Sequence, residues 1–260
     1  MTVHFIGAGP GAADLLTLRA VRLLAESAVC LYAGSLVPDD VLAHCAPGAR
    51  LINTADLTLD EIVAELVEAH ERGEDVARLC SGDPSIFSAV AEQARRLDAA
   101  GVPWDVTPGV PAFAAAAAAL GRELTAPGIS QAVTLTRIAE RATPMPDGQQ
   151  LADLGASHAT LVLHLAVQRI DAVIDELLPH YGALCPSAVV AYASRANEVI
   201  LRAPLGEIAG AVRDANITRT AVIIVGDVLG SDGFRDSQLY SPDRDRSAHS
   251  AAGEGSVTNS

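Results

Sequence analysis

Three short stretches of the chain combine residue types that let a backbone close around a small ligand. The first, GAGPGAADLLT (Gly7 to Thr17), follows directly on a β-branched run. Glycines at 7, 9 and 11 allow a tight turn and a close approach of the main chain to a bound group. The spacing departs from a dinucleotide fingerprint because the third glycine is displaced, and Pro10 removes a backbone donor that a phosphate cradle would use. No phosphate-loop lysine follows. The second stretch, LCSGDPSIF (Leu79 to Phe87), sets Ser81, Gly82 and Asp83 just past a strand, where open α/β sheets hold ligands. Asp83 is equally suited to cap a following helix that Pro84 begins. The third, VTPGVPAF (Val106 to Phe113), is a stiff loop built on Pro108, Gly109 and Pro111 before a helix of small residues, Ala114 to Ala119. A Val at Gly82 is expected to fill ligand space while leaving the fold intact.

Other chemistries lack their residues. There is no G-x-S-x-G, no H-E-x-x-H and no His/Asp/Cys cluster at metal spacing, so neither a hydrolytic centre nor a protein-bound metal is expected. His158 and His164 read as a polar pair flanking a strand, and His4 as packed or hydrogen-bonded. Cys30, Cys45, Cys80 and Cys185 form no CxxC pair, which speaks against a zinc site or redox dithiol and suits a reducing cytosol. The formal net charge of -14, from 18 basic and 32 acidic residues, disfavours non-specific nucleic-acid binding. It leaves room for a local basic patch around a small anion. Arg122, Arg137, Arg141 and Arg195 fall in loops of the second half. Loop arginines ordinarily serve the solvated surface, but several together suit a polycarboxylate ligand.

The elements that must carry these loops follow from periodicity. Strands are expected at Val3 to Gly7, Ala28 to Ala33, Val76 to Cys80 and Trp104 to Pro108. Between and after them lie helical patterns at Leu15 to Ala28 (with Asp14 as cap), Pro38 to His44, Leu59 to Arg72, Ile86 to Ala99 and Val110 to Leu120. Strands alternating with helices predict a parallel sheet covered by helices. Past Gly121 the pattern changes. Strands are expected at Gln131 to Thr136, Ala159 to Leu165, Ser187 to Ala193, Glu198 to Pro204 and Thr220 to Gly226, with helices at Ile170 to Leu178 and Leu205 to Ala215.

The reading is therefore α/β with two domains: residues 1–122 around a mainly parallel sheet, and residues 123–230 around a mixed one. Residues 231–260, rich in Ser, Gly and Asp without apolar anchors, read as a disordered tail. The apolar run from Val110 to Gly121 is too short to cross a bilayer, and MTVHFIGAG lacks a secretory pattern. A cytoplasmic protein without membrane or nucleic-acid partners is expected.

The three loops, in this order and spacing, resemble the tetrapyrrole methyltransferase family. The resemblance extends from Val3 to about Gly230, through VHFIGAGPGAADLLTLRA, YAGSLV, GDPSIFSAV, TPGVPAF, ELTAPGISQAVTLTR and IIVGDVL. YAGSLV and the Glu123 to Arg137 stretch narrow it to one branch. It implies two α/β domains, usually in a homodimer, with S-adenosyl-L-methionine held between them as methyl donor to a ring carbon of a reduced tetrapyrrole. The alternatives are another ring position of a precorrin or uroporphyrinogen, or a nucleotide-binding module without catalysis. Family donor contacts carry over to Pro10, Ser81, Gly82, Asp83, Ile86, Pro111, Ala112, Leu165 and Ala193. Ser81, Leu165, Ala193 and Thr220 depart from the residues usual at their positions. The substrate's carboxylates assign Gly11, Arg122, Arg137 and Arg195 to its recognition.

Overall fold

Apolar β-branched runs and amphipathic helices alternate through the first half of the chain, and they assemble as such runs must, with the strands inside. The structure, a computed structural model, describes residues 1–138, 144–234 and 236–237. Arg141 and nearly all of the expected tail lie outside them. Strands β1 (Val3–Gly7), β2 (Val29–Tyr32), β3 (Arg50–Asn53), β4 (Val76–Cys80) and β5 (Trp104–Thr107) form a parallel sheet in the order β3-β2-β4-β1-β5. Every residue of β4 and four of the five in β1 are buried, as strands covered on both faces require. The register pairs Gly7 with Cys80 and Ile6 with Thr107, so the carboxyl ends of β1, β4 and β5 finish level. The three ligand-type loops therefore leave the sheet side by side.

Helices α1 (Leu18–Glu26), α2 (Asp39–Leu42), α3 (Leu59–Glu71) and α4 (Val90–Ala99) connect these strands. Helix α3 opens on a reciprocal capping box between Thr58 and Glu61. Two helix starts differ from expectation. Asp14 does not cap α1; residues 13–15 make a single 3-10 turn, and the Thr17 hydroxyl accepts the Ala20 N–H instead. Helix α4 begins at Val90 rather than Ile86, because Phe87 and Ala89 take left-handed φ values of 52° and 50°. Asp83 is consequently not its N-cap. Strand β3 has no counterpart in the expected elements.

The second sheet has the order β6-β7-β10-β8-β9, from β6 (Val133–Arg137), β7 (Thr160–His164), β8 (Pro186–Ala191), β9 (Val199–Pro204) and β10 (Ala221–Val225). Strands β6 and β7 pair parallel and the other three pairings are antiparallel, which makes this sheet mixed. Helices α7 (Ile170–Tyr181) and α8 (Leu205–Asp214) bury Val173, Leu177, Ile208 and Val212 against one face, with short α6 (Leu151–Gly155) beside α7. The alanine-rich α5 (Ala112–Leu120) covers the other. Its Ala115, Ala116 and Leu120 share a core with Val162, Val190, Val222 and Ile224. The helix that leaves the first sheet thus packs on the second, its small side chains allowing close approach. No helix among the described residues is long and apolar enough to cross a membrane.

Candidate functional site

The three loops at the level strand ends interlock through glycine. Gly9 and Gly82 exchange backbone hydrogen bonds at 3.1 and 2.8 Å, fastening the first loop to the second. A Cβ on Gly7 or Gly109 would fall inside the van der Waals envelope of the other's backbone and of the Gly82 carbonyl. Gly82 itself has φ +67°. Its absent side chain points at the Pro111–Ala112 backbone, 3.4 Å away, rather than into open space. A Val at Gly82 therefore strains its own backbone and brings its side chain against the third loop rather than into open ligand space.

Asp83 completes the fastening. Its Oδ2 accepts the Gly109 N–H at 2.8 Å, and its Oδ1 accepts both the Ser85 N–H, at 2.8 Å, and the Ser85 hydroxyl. Partial burial pushes the carboxyl's pKa upward. The bonds from Ser85 and Gly109 outweigh that effect and hold it below the ordinary value, so the group stays ionised. The carboxylate closes an Asx-type turn and pins the second loop to the third.

Above these loops lies a cavity of about 580 Å³, walled by both sheets. That is within the roughly 300–1,000 Å³ of small-molecule sites. All nine positions assigned to the donor line it: Pro10, Ser81, Gly82, Asp83, Ile86, Pro111, Ala112, Leu165 and Ala193. The surrounding backbone is strained in a localised way. Phe87, Ala89, Leu165 and Thr220 line the cavity with positive φ, and Tyr192 and Ser194, which flank the lining residue Ala193, take positive φ as well. Non-glycine residues in that region cost about 1–3 kcal/mol each and concentrate where a ligand is clamped. Leu165 is 68 % and Phe87 47 % exposed, so large apolar surfaces face the opening uncovered.

Charged side chains are few in the lining. His164 ends β7 against the rings of Phe87 and Phe113, with centroids 5.7 and 6.3 Å away. Burial lowers its pKa, and its sealed Nε2 has no hydrogen-bond partner among the described residues. It does not pair with His158, whose ring meets Tyr181 instead. Arg78 in β4 is 7 % exposed and forms no ion pair among the described residues; its guanidinium donates to the Gln93 side chain at 3.0 Å and the Leu79 carbonyl at 3.1 Å. Burial pushes the Cys80 thiol up to about 11, which keeps it protonated. Arg219 also lines the cavity, and among the described residues it makes no hydrogen bond or ion pair. It was not among the expected substrate contacts; a lone arginine between two threonines has no motif to reveal it.

The four positions assigned to the substrate lie elsewhere. Gly11 does not line the cavity; the Arg195 side chain packs where its Cβ would be. Arg195 donates to the carbonyls of Ser35 and Leu36 at 3.1 and 2.8 Å, bridging the second sheet's loop to the first. Arg122 pairs with Asp232 at 2.8 Å and donates to the Ser231 carbonyl, beside a separate groove of about 300 Å³. Arg137 ends β6 and donates to the Ile138 carbonyl, also outside the cavity wall. These guanidiniums satisfy main-chain carbonyls and a carboxylate of the protein itself, a duty that loop position alone does not disclose. No group of three or more metal-type side chains occurs among the described residues.

A two-sheet α/β chain whose strand-end loops meet over an intersheet cavity matches a known class: residues 2–209 fit the family model for Tetrapyrrole (Corrin/Porphyrin) Methylases, and the chain belongs to that family. At finer grain it is 62 % identical to the precorrin-4 C(11)-methyltransferase of Rhodococcus erythropolis, over 96 % of this chain and 100 % of that one. It is 41 % identical to the cobalt-precorrin-4 C(11)-methyltransferase of Methanocaldococcus jannaschii, over 92 % of each. Among solved structures it is similar to a cobalamin biosynthetic enzyme, cobalt precorrin-4 methyltransferase, with TM-score 0.85 and 36 % identity across 88 % of this chain and 95 % of that one. It also resembles the uroporphyrin-III C-methyl transferase of Thermus thermophilus complexed with S-adenyl homocysteine. There the TM-score is 0.72 and the identity 33 %, across 88 % and 93 % of the two chains.

Proposed function

We propose that this protein transfers a methyl group from S-adenosyl-L-methionine to C11 of precorrin-4 or cobalt-precorrin-4 in cobalamin (corrin) biosynthesis. The observation that carries the reading is the coincidence of all nine family donor positions on one cavity of donor-accommodating size. The 62 % identity to a precorrin-4 C(11)-methyltransferase supports the acceptor and ring position.

The cavity fits such a donor. Its floor is backbone brought close by glycine, its wall is apolar at Ile86, Phe87 and Leu165, and Asp83 retains lone-pair capacity for an ammonium or hydroxyl after its three internal bonds. When bound, the donor supplies an already activated methyl on a sulfonium, so no protein nucleophile is required. The chain's own task is positioning: three interlocked loops fix one reactant, and the rim of the second sheet meets the other. Phe87 and Leu165 are placed to exclude water once covered. Asp83, held ionised by Gly109 and Ser85, acts as an anchor rather than a base.

Precorrin-4, or its cobalt form, incubated anaerobically with labelled donor and purified protein should give one added methyl by mass and a C11-methyl signal by NMR. Methylation at another ring carbon, or donor binding without turnover on either form, would refute the assignment. The two forms compared in one assay settle the metal state of the acceptor. The same reading carries a cytoplasmic homodimer, and light scattering at twice 26.8 kDa would register the dimer.

A further inference from the structure

We propose that Arg219 receives a carboxylate of the tetrapyrrole acceptor at the mouth of the cavity. The proposal deepens the function above and rests on it for the chemistry of the acceptor.

Three charged side chains line the cavity among the described residues apart from the neutral-leaning His164: Arg78, Asp83 and Arg219. Two are committed. Arg78 is buried and holds Gln93 and the Leu79 carbonyl, while Asp83 holds Ser85 and Gly109. Arg219 alone is exposed and uncommitted. Its backbone is not loose. Ile217 is buried and donates its N–H to the Val212 carbonyl at 3.1 Å, and the Thr220 carbonyl accepts the Tyr192 N–H at 2.8 Å. The guanidinium thus hangs from a fixed segment just ahead of β10, where Thr218 and Thr220 beside it also line the cavity.

Long-range charge argues in the same direction. A chain of net charge -14 repels a polyanion at a distance, so a carboxylate-bearing acceptor needs a local cation at the entrance. A guanidinium meets a carboxylate through two parallel N–H bonds, which fixes orientation as well as position. Seven of the nine assigned donor positions, including the anionic Asp83 suited to the donor's ammonium, lie on loops of the first sheet, whereas Arg219 stands just ahead of β10 in the second. Its partner is accordingly a peripheral acid group of the acceptor rather than the donor's own carboxylate. Of the four arginines that loop position had suggested, Arg122, Arg137 and Arg195 are already engaged with the protein, and Arg141 lies outside the described residues.

The test is anaerobic titration of precorrin-4 onto protein saturated with S-adenosylhomocysteine, for the wild type, Arg219→Gln and Arg219→Lys. Arg219→Gln should weaken acceptor binding roughly ten-fold or more. It should raise KM for the acceptor correspondingly, with kcat and the affinity for S-adenosylhomocysteine each within about two-fold of wild type. Arg219→Lys should fall between, keeping charge without the planar fork. Added salt should weaken acceptor binding by the wild type more than by Arg219→Gln. Equal acceptor affinities, or a parallel loss of S-adenosylhomocysteine affinity, would overturn the assignment. Wild-type protein that binds precorrin-4 through Arg219 but never methylates it would instead refute the function above. Wild-type protein that binds neither precorrin-4 nor its cobalt form would refute both.

Discussion

Asp83 shows how one side chain converts sequence proximity into site geometry. Its carboxylate joins Ser85, two residues on, to Gly109, twenty-six residues on. Asp83→Asn must turn an amide N–H₂ toward one of those N–H donors. We expect a stability loss of about 1 kcal/mol, moderated by solvent access, and a marked drop in S-adenosylhomocysteine affinity by calorimetry. Unchanged affinity in folded Asp83→Asn would remove Asp83 from the site. Gly109→Ala should cost more, about 1–3 kcal/mol, because a methyl there meets backbone that has no rotamer to yield. A urea midpoint equal to wild type would contradict the interlock. His164 gives a pH signature. Burial lowers its folded-state pKa, so the unfolded chain binds the extra proton and stability declines as pH falls below about 6.5. His164→Phe should flatten that part of the decline between pH 7 and 5, and parallel curves for the two proteins would exclude this origin.

Elements differ in how plainly the sequence announces them. Strands β1, β4, β7 and β10 are short apolar runs buried on both faces, and such runs are visible locally. Strand β3 is exposed at three of its four positions at the sheet edge, and RLIN carries no comparable apolar run. Helix α4 starts late because two left-handed residues precede it, a conformation that Phe and Ala do not advertise. Helix α5 was visible as a helix but its partner was not: a nearly all-alanine segment has no polar face to indicate a direction. The cavity lining was legible in part: seven of the nine assigned positions fall in three local motifs, whereas Leu165 and Ala193 carry no local signal and came from the resemblance alone. The substrate-side arginines were not, since engagement with Asp232 or with the Ser35 and Leu36 carbonyls is decided by tertiary placement. Helix α5 also carries a prediction. Ala116 is fully buried between helix and second sheet, so Ala116→Leu should destabilise by about 1–3 kcal/mol in urea unfolding. A neutral result would mean that the helix is free to lift from that sheet.

For the whole molecule, the decisive feature is that loops from one sheet are held by loops from the other. Arg195 grips the Ser35 and Leu36 carbonyls, and the Ser194 hydroxyl accepts the Ala12 N–H at 3.0 Å. Ser35 and Leu36 line the cavity, so this grip shapes it from outside. Arg195→Ala should accelerate hydrogen exchange at Leu36 and Val37 and weaken S-adenosylhomocysteine binding, with less effect on the global melting temperature. Unaltered exchange would deny the grip a role in shaping the cavity. Because the cavity wall is drawn from both sheets, a molecule seated in it reports on their joint integrity. Ligand bound only by the docked arrangement adds about 2.7 kcal/mol at one hundred times its Kd. That increment is withdrawn entirely when either half unravels. Heat-capacity traces should therefore merge into a single sharper transition as S-adenosylhomocysteine is added, so that donor supply governs how cooperatively the two halves melt.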